Sequence, residues 1–195
     1  MLATRAARGS QAGTTMLEGL ITLVILAFGL LGLAGLHLKI QTLDMEAYQR
    51  VQAILLLKDM VERIKANSAS AADYVKAPNT YYGTDDTPVC PGASLSEKDK
   101  CEWSNALQGA AESSSGTKVG AMIDARGCVE EIQAPDPTSG ICLPGTYRVT
   151  VAWQGLFATS APSLSCGSGK YGVPVNEAVR RAIANTIVIG LPTCI

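Results

Sequence analysis

Net charge is the first thing this chain lacks. Its 16 basic and 17 acidic residues over 195 positions leave a formal charge of −1, so no global field points to nucleic acid or to an anionic membrane surface. Histidine is almost missing too. The single one, His37, sits beside a long apolar run, where an interfacial residue is expected rather than a general base. Everything beyond that run lacks histidine, which removes Ser-His-Asp and Cys-His catalysis. There is no G-x-x-x-x-G-K-[ST] and no G-x-G-x-x-G following a strand, and no basic patch interleaved with aromatics for nucleic acid. The acidic pairs Asp85-Asp86 and Glu130-Glu131 read as solvated surface: the first falls in a loop, and neighbours in a strand point to opposite faces. The expectation is a protein that is not an enzyme, with no cofactor.

Cysteine is absent from the first 89 positions. All six (Cys90, Cys101, Cys128, Cys142, Cys166, Cys194) follow. An even number confined to the part beyond a membrane-length segment favours disulfides in an oxidising compartment. Zinc sites prefer close pairs such as C-x-x-C, whereas the closest pair here is Cys90 and Cys101, so no metal is expected. Six cysteines allow 15 pairings. The nearest-neighbour scheme, 90–101, 128–142 and 166–194, is the working expectation.

Proline is absent from Thr14 to Ala77, and that stretch carries the sharpest signal. Residues 1–13, MLATRAARGSQAG, contain Arg5 and Arg8 and no acid. About 18 uncharged residues then run from Gly19 to Leu36, close to the ~20 that span a hydrocarbon core, and the leading arginines favour a cytoplasmic N-terminus. Three readings compete. A secretory signal could be cut near Gly32-Leu33-Ala34, but the apolar run continues unbroken into a further helical pattern. A plain signal anchor leaves Glu18 as an unexplained carboxylate at the edge of an apolar segment.

The third reading is a resemblance. A short basic leader ending in Gly13, glutamate five residues on at Glu18, and an apolar helix resemble the type IV pilin family. The resemblance implies cleavage after Gly13 by a membrane-embedded prepilin peptidase. The mature chain would start at Thr14, a candidate for N-methylation, where the family usually has phenylalanine. The Glu18 carboxylate would pair with the terminal amine of a neighbouring subunit, since a buried carboxylate is tolerated when a cation meets it. Family members often have a proline inside the apolar half; Gly35 stands in the corresponding place.

Helical spacing persists to Ala66, roughly 80 Å at ~1.5 Å per residue. Leu43, Ala47, Val51, Ile54, Leu57, Val61 and Ile64 form one stripe, and Asp44, Glu46, Gln49, Arg50, Lys58, Glu62, Arg63 and Lys65 fall largely opposite. Asn67-Ser68 ends the helix. Residues 74–91 read as an irregular connector. Ser96 to Asp99 reads as a helix start, with Trp103, Leu107 and Ala110 at helical spacing and Ser113 to Gly116 as its end. Short β signals lie at Ala121–Ile123 and Cys128–Ile132. Residues 145–155 alternate Tyr147, Val149, Val151 and Trp153 with Arg148, Thr150, Ala152 and Gln154, a half-buried strand. Arg180–Ile189 is a second strand, antiparallel to the first across a long loop that a 166–194 bridge would staple.

The organisation expected is a leader (1–13), a membrane-spanning half-helix (14–38), an amphipathic half-helix (39–67) and a disulfide-containing periplasmic domain (68–195). The fold class is α+β, a long helix packed on a small antiparallel sheet. LEGLITLVILAFGLLGLAGLHLKIQT, LLLKDMVERIKAN and the strand from Cys142 to Gly155 resemble the PilV branch of minor pilins, with residues 70–130 contributing little. That branch implies a low-copy subunit that primes type IV pilus assembly near the tip and supports twitching motility and adhesion. Its partners would be the prepilin peptidase, other minor pilins, the major pilin, the inner-membrane assembly platform, a tip adhesin, and the membrane through residues 16–38. The protein would sit in the inner membrane before assembly and on the surface pilus after it. A minor pseudopilin of type II secretion, which shares this leader and helix, and a signal-anchored periplasmic binding domain are the alternatives.

Overall fold

A computed structural model describes residues 14–86, 90, 94–109, 113–114, 117–118, 120 and 122–191. Helix α1 (Thr14–Ala66) comes first, with Arg63 and Lys65 in its last turn, cations where the helix dipole favours them. A 3-10 segment (Ser68–Tyr74) leads to strand β1 (Tyr82–Gly83) and helix α2 (Leu95–Leu107). Next come the two-residue strands β2 (Ser113–Ser114) and β3 (Thr117–Lys118), then β4 (Ile123–Gln133), β5 (Gly145–Gln154) and β6 (Arg180–Ile189). The main sheet has the order β1-β4-β5-β6, antiparallel throughout, and β5 pairs with β6 from Gly145–Ile189 to Gln154–Arg180. The architecture is α+β, as the pattern predicts.

The chain divides into two units, one ending at Asp44 and the other beginning at Met45. In the first, the described side chains from Thr15 to Gln41 are all exposed. Helix α1 is long and apolar enough to cross a membrane, with an 18-residue window of mean hydropathy 2.4 and none of it buried.

In the second unit the core forms between one face of α1 and one face of the sheet. Ala53, Leu57, Met60, Val61 and Ile64 meet Val129, Tyr147, Val149, Val151, Trp153 and Ile187, with Trp103 and Leu107 of α2 closing one side. Helix α2 is held at its start by a capping box, Ser94 accepting from the Glu97 N–H and Glu97 accepting from the Ser94 N–H, which satisfies two orphan donors at once. The helix therefore begins one residue earlier than the Ser96 expected and ends at Leu107; Ala110 lies outside the described residues. The two β signals expected at Ala121–Ile123 and Cys128–Ile132 are one strand, β4. Ala121 itself is outside the described residues.

Strand β5 departs from the half-buried expectation. Its α1-facing residues are buried as the alternation requires, but Thr150 and Ala152 on the other face are also 1% and 0% exposed. A second cluster covers that face: Tyr81, Cys128, Ala152, Cys166 and Tyr171. Its Cys166 and Tyr171 come from the β5–β6 loop, which folds back over the sheet. Arg180 is the loop's anchor. Its guanidinium is 4% exposed, pairs with Glu177, and donates to the carbonyls of Leu164, Cys166 and Pro162, so a buried charge is fully satisfied.

Candidate assembly interface

The expected stripe on α1 turns out to be two faces. Leu57, Val61 and Ile64 are buried in the core, but Leu43 and Val51 are 53% and 52% exposed, and Ala47 is exposed as well. Gln49, expected on the polar side, is 1% exposed and Ala53 is 0% exposed. Positions two apart on an α-helix lie about 200° apart around its axis. Gln49 and Ala53 against the sheet therefore put Ala47, Val51 and Leu55 on the opposite side, and Leu55 is 54% exposed. The small Ala53 side chain lets the helix approach the sheet. The larger aliphatics form a second apolar face, pointing away from the domain's core. A sequence pattern merges the two faces because both are apolar. Over residues 47–55 the helix is therefore apolar on two opposite sides.

Toward the N-terminus, Glu18 lies exposed on α1 among apolar residues. Gly13 lies outside the described residues. His37 hydrogen-bonds Gln41 one turn on, at 3.0 Å.

The cysteines form bridges, with one expected pair found and two, 128–142 and 166–194, overturned. Cys90 and Cys101 are joined as the nearest-neighbour scheme has it. Cys128 is bonded to Cys166, not to Cys142, with Cα atoms 5.9 Å apart. The reason is topological: the β5–β6 loop folds back across the sheet and sets Cys166 over β4. Cys166 therefore does not staple the loop to the end of β6. Cys142 is also disulfide-bonded, to a residue outside those described, and Cys194 lies outside them too.

The acidic pairs are solvated only in part: Asp85 and Glu131 are exposed as expected, while Asp86 and Glu130 are half-buried. Asp85 forms a two-pronged ion pair with Arg126, Nε to Oδ2 at 2.7 Å and Nη2 to Oδ1 at 3.1 Å. The hydrogen bonds from Arg126 hold the Asp85 carboxyl below its ordinary range. Arg126 also stacks over the buried Tyr171 ring, 4.9 Å from its centroid, tying the β5–β6 loop to β4. Asp86 accepts from Lys76 and Ser104 at 3.0 Å each, and Glu130 from Arg148 and Ser165. These carboxylates neutralise cations and order loops. Sequence reasoning missed Arg126, Arg180 and Tyr171 because nothing local marks them; their partners come from other elements.

A cleft of about 350 Å³ lies between residues 75–81 and the edge of β4 at Cys128–Glu131. Its acid Glu130 is already ion-paired, and among the described residues no group of three or more His, Cys, Asp or Glu could hold a metal.

Compared with known proteins, residues 39–103 match a family model described as Tt1218-like, type IV pilin Tt1218. The match, spanning a third of the chain, supports the type IV pilin superfamily and with it a pilin role. It starts just after the apolar run and reaches through α2 to Trp103, so it includes residues 70–103, where the resemblance read from the sequence carries little. No curated protein and no solved structure matches the chain.

Proposed function

We propose that this chain is a minor pilin of the PilV type, a low-copy subunit that primes type IV pilus assembly and sits near the pilus tip. Pilins assemble side by side with their helices, and the observation that carries the reading is the second apolar face of α1. Ala47, Val51 and Leu55 lie opposite the face that packs on the sheet. An apolar ridge of this kind favours burial against other helices, at about 25 cal/mol for each Å² removed from water.

In this reading, the prepilin peptidase cuts after Gly13 on the cytoplasmic side of the inner membrane, and the apolar segment stays on as anchor. The new Thr14 amine, methylated or not, is the cation available to Glu18 of a neighbouring subunit. In hydrocarbon an isolated carboxylate is costly, and a partner cation offsets that cost. Glu18 thus makes docking favourable only in the correct axial register. The disulfide-braced domain faces the periplasm and then the cell surface, where it supports twitching motility and adhesion. The partners are other minor pilins, the major pilin, the assembly platform in the inner membrane, and a tip adhesin.

The test is gene deletion, with sheared surface pili and type II-secreted proteins measured in the same cultures and complementation by wild type and by Glu18→Ala. Loss of pili with secretion intact, rescued by wild type and not by Glu18→Ala, is the expected result. Lost secretion with normal pili would make the chain a minor pseudopilin instead.

A further inference from the structure

We propose that residues 45–52 of α1 are a releasable segment, fastened to the sheet domain by a polar latch at Glu46, and that firm docking of the helix begins at Ala53. The inference goes beyond the pilin reading and does not depend on it.

The two stretches of helix are held by different physics. From Ala53 onward the contact is mainly apolar, with Arg63 ion-paired to Asp99 and Glu102 of α2 near its end. Ala53, Leu57, Met60, Val61 and Ile64 are all at most 6% exposed, and the buried Trp103 indole N–H donates to the Leu56 carbonyl at 2.8 Å. Between Met45 and Gln52, Gln49 is the one buried side chain. Its Oε1 has no hydrogen-bond partner among the described residues, so seating it against the sheet sacrifices solvation without a full return. Met45 and Tyr48 are 50% and 45% exposed. A segment with no buried apolar side chain belongs to the low-stability end of a fold.

The fastening is the Glu46 carboxylate. One oxygen, Oε1, accepts from the Leu156 N–H at 2.8 Å, the Phe157 N–H at 3.3 Å and Arg181 Nη2 at 3.2 Å. Arg181 is itself fixed, donating to the Phe157 carbonyl at 2.7 Å and the Ala178 carbonyl at 3.1 Å. Gly155 makes room for this arrangement, since a Cβ there would fall 2.6 to 2.8 Å from the Arg181 guanidinium. The latch is therefore a charged network next to a buried amide that gains from leaving. Losing it loosens residues 45–52 and leaves the apolar contact from Ala53 intact. Where a neighbouring helix competes for this stretch, the chain can exchange the Glu46 contact for an intersubunit one without unfolding its domain.

The experiment is thiol labelling of the full chain in detergent micelles, using Gln49→Cys and Ala53→Cys separately, with all native cysteines left in their disulfides. The Gln49→Cys thiol is expected to label at least tenfold faster than the Ala53→Cys thiol, although its substitution removes the unsatisfied amide. Adding Glu46→Ala, which deletes hydrogen bonds to a charged acceptor, is expected to speed Gln49→Cys labelling about tenfold further and to leave Ala53→Cys within twofold. Gly155→Ala, which displaces Arg181 without touching the helix, is expected to act in the same direction. Unchanged circular dichroism and denaturation midpoint identify folded variants, and Glu46→Gln, with an intermediate rate, replaces any that fails. Equal labelling at both positions, or an acceleration by Glu46→Ala shared equally between them, would overturn the proposal.

Discussion

Gly127 in β4 is the position where one methyl group should do most damage. A Cβ there would overlap the Trp103 six-membered ring and come within 2.7 Å of Leu107 Cδ1. The backbone has little freedom to yield, since Gly127 is paired to Tyr82 on one side and to Val151 on the other. The indole must therefore move. It is fully buried, packs edge-on against Tyr82 with centroids 5.3 Å apart, and donates its N–H to Leu56 of α1. Overpacking of this kind costs about 1–3 kcal/mol, and an indole N–H pulled off its buried acceptor adds about 1–3 kcal/mol. Alanine returns about 0.4–1 kcal/mol by restricting the unfolded chain. Gly127→Ala is thus expected to destabilise by about 1–6 kcal/mol, read as urea denaturation by circular dichroism. In a Trp103→Leu background the same substitution should cost less than in the wild type, because the overlap with the ring and the indole hydrogen bond are gone and only the Leu107 contact remains. A loss below about 0.5 kcal/mol in the wild-type background, or full additivity in the double variant, would refute the reasoning.

The two described disulfides should differ in worth. Cys128–Cys166 closes a separation of 38 residues and Cys90–Cys101 one of 11, which loop-closure entropy converts to about 4 and about 3 kcal/mol; Ala substitution of each pair, compared by denaturation, should reproduce that ranking. At alkaline pH, burial pushes the Tyr171 hydroxyl up to about 12, more than the neighbouring Arg126 draws it down. Tyr74 rises to about 12 through burial and its hydrogen bond to Asp99. These raised groups add stability that is complete below about pH 10 and lost as pH climbs to about 12; absorbance titration should show Tyr74 and Tyr171 ionising only as the fold is lost. In acid the sign reverses for Asp85, whose Arg126 hydrogen bonds depress its pKa. Its contribution is present above about pH 4 and disappears as pH falls further, so Asp85→Asn should flatten the acid limb of the stability curve.

Some of this molecule is written locally and some is not. The bounds of α1 are readable because nothing between Thr14 and Ala66 breaks a helix. The antiparallel pairing of β5 with β6 is readable because Tyr147, Val149, Val151 and Trp153 alternate cleanly. The orientation of α1 on its sheet is less so. Val51 and Ala53 are both acceptable core residues, and the choice between them depends on how closely the sheet lets the helix approach. The Cys128–Cys166 bridge and the Arg126–Asp85 pair are beyond local reading altogether. Each joins residues about 40 positions apart, and only the return of the β5–β6 loop across the sheet brings them together. For the proposed assembly site, Glu18 and the apolar run stand out from sequence alone, whereas the second face of α1 emerges only once the first is known to be occupied.

The most direct test of a pilin matured at Gly13 is the N-terminal residue of the protein recovered from sheared surface fibres, read by mass spectrometry of its N-terminal peptide. The account predicts recovery in the fibre fraction with Thr14 first, whether or not its amine carries a methyl group. A chain confined to the membrane fraction and starting at Met1 or Gly35 would contradict it, and would point to a tethered periplasmic domain that never enters a fibre.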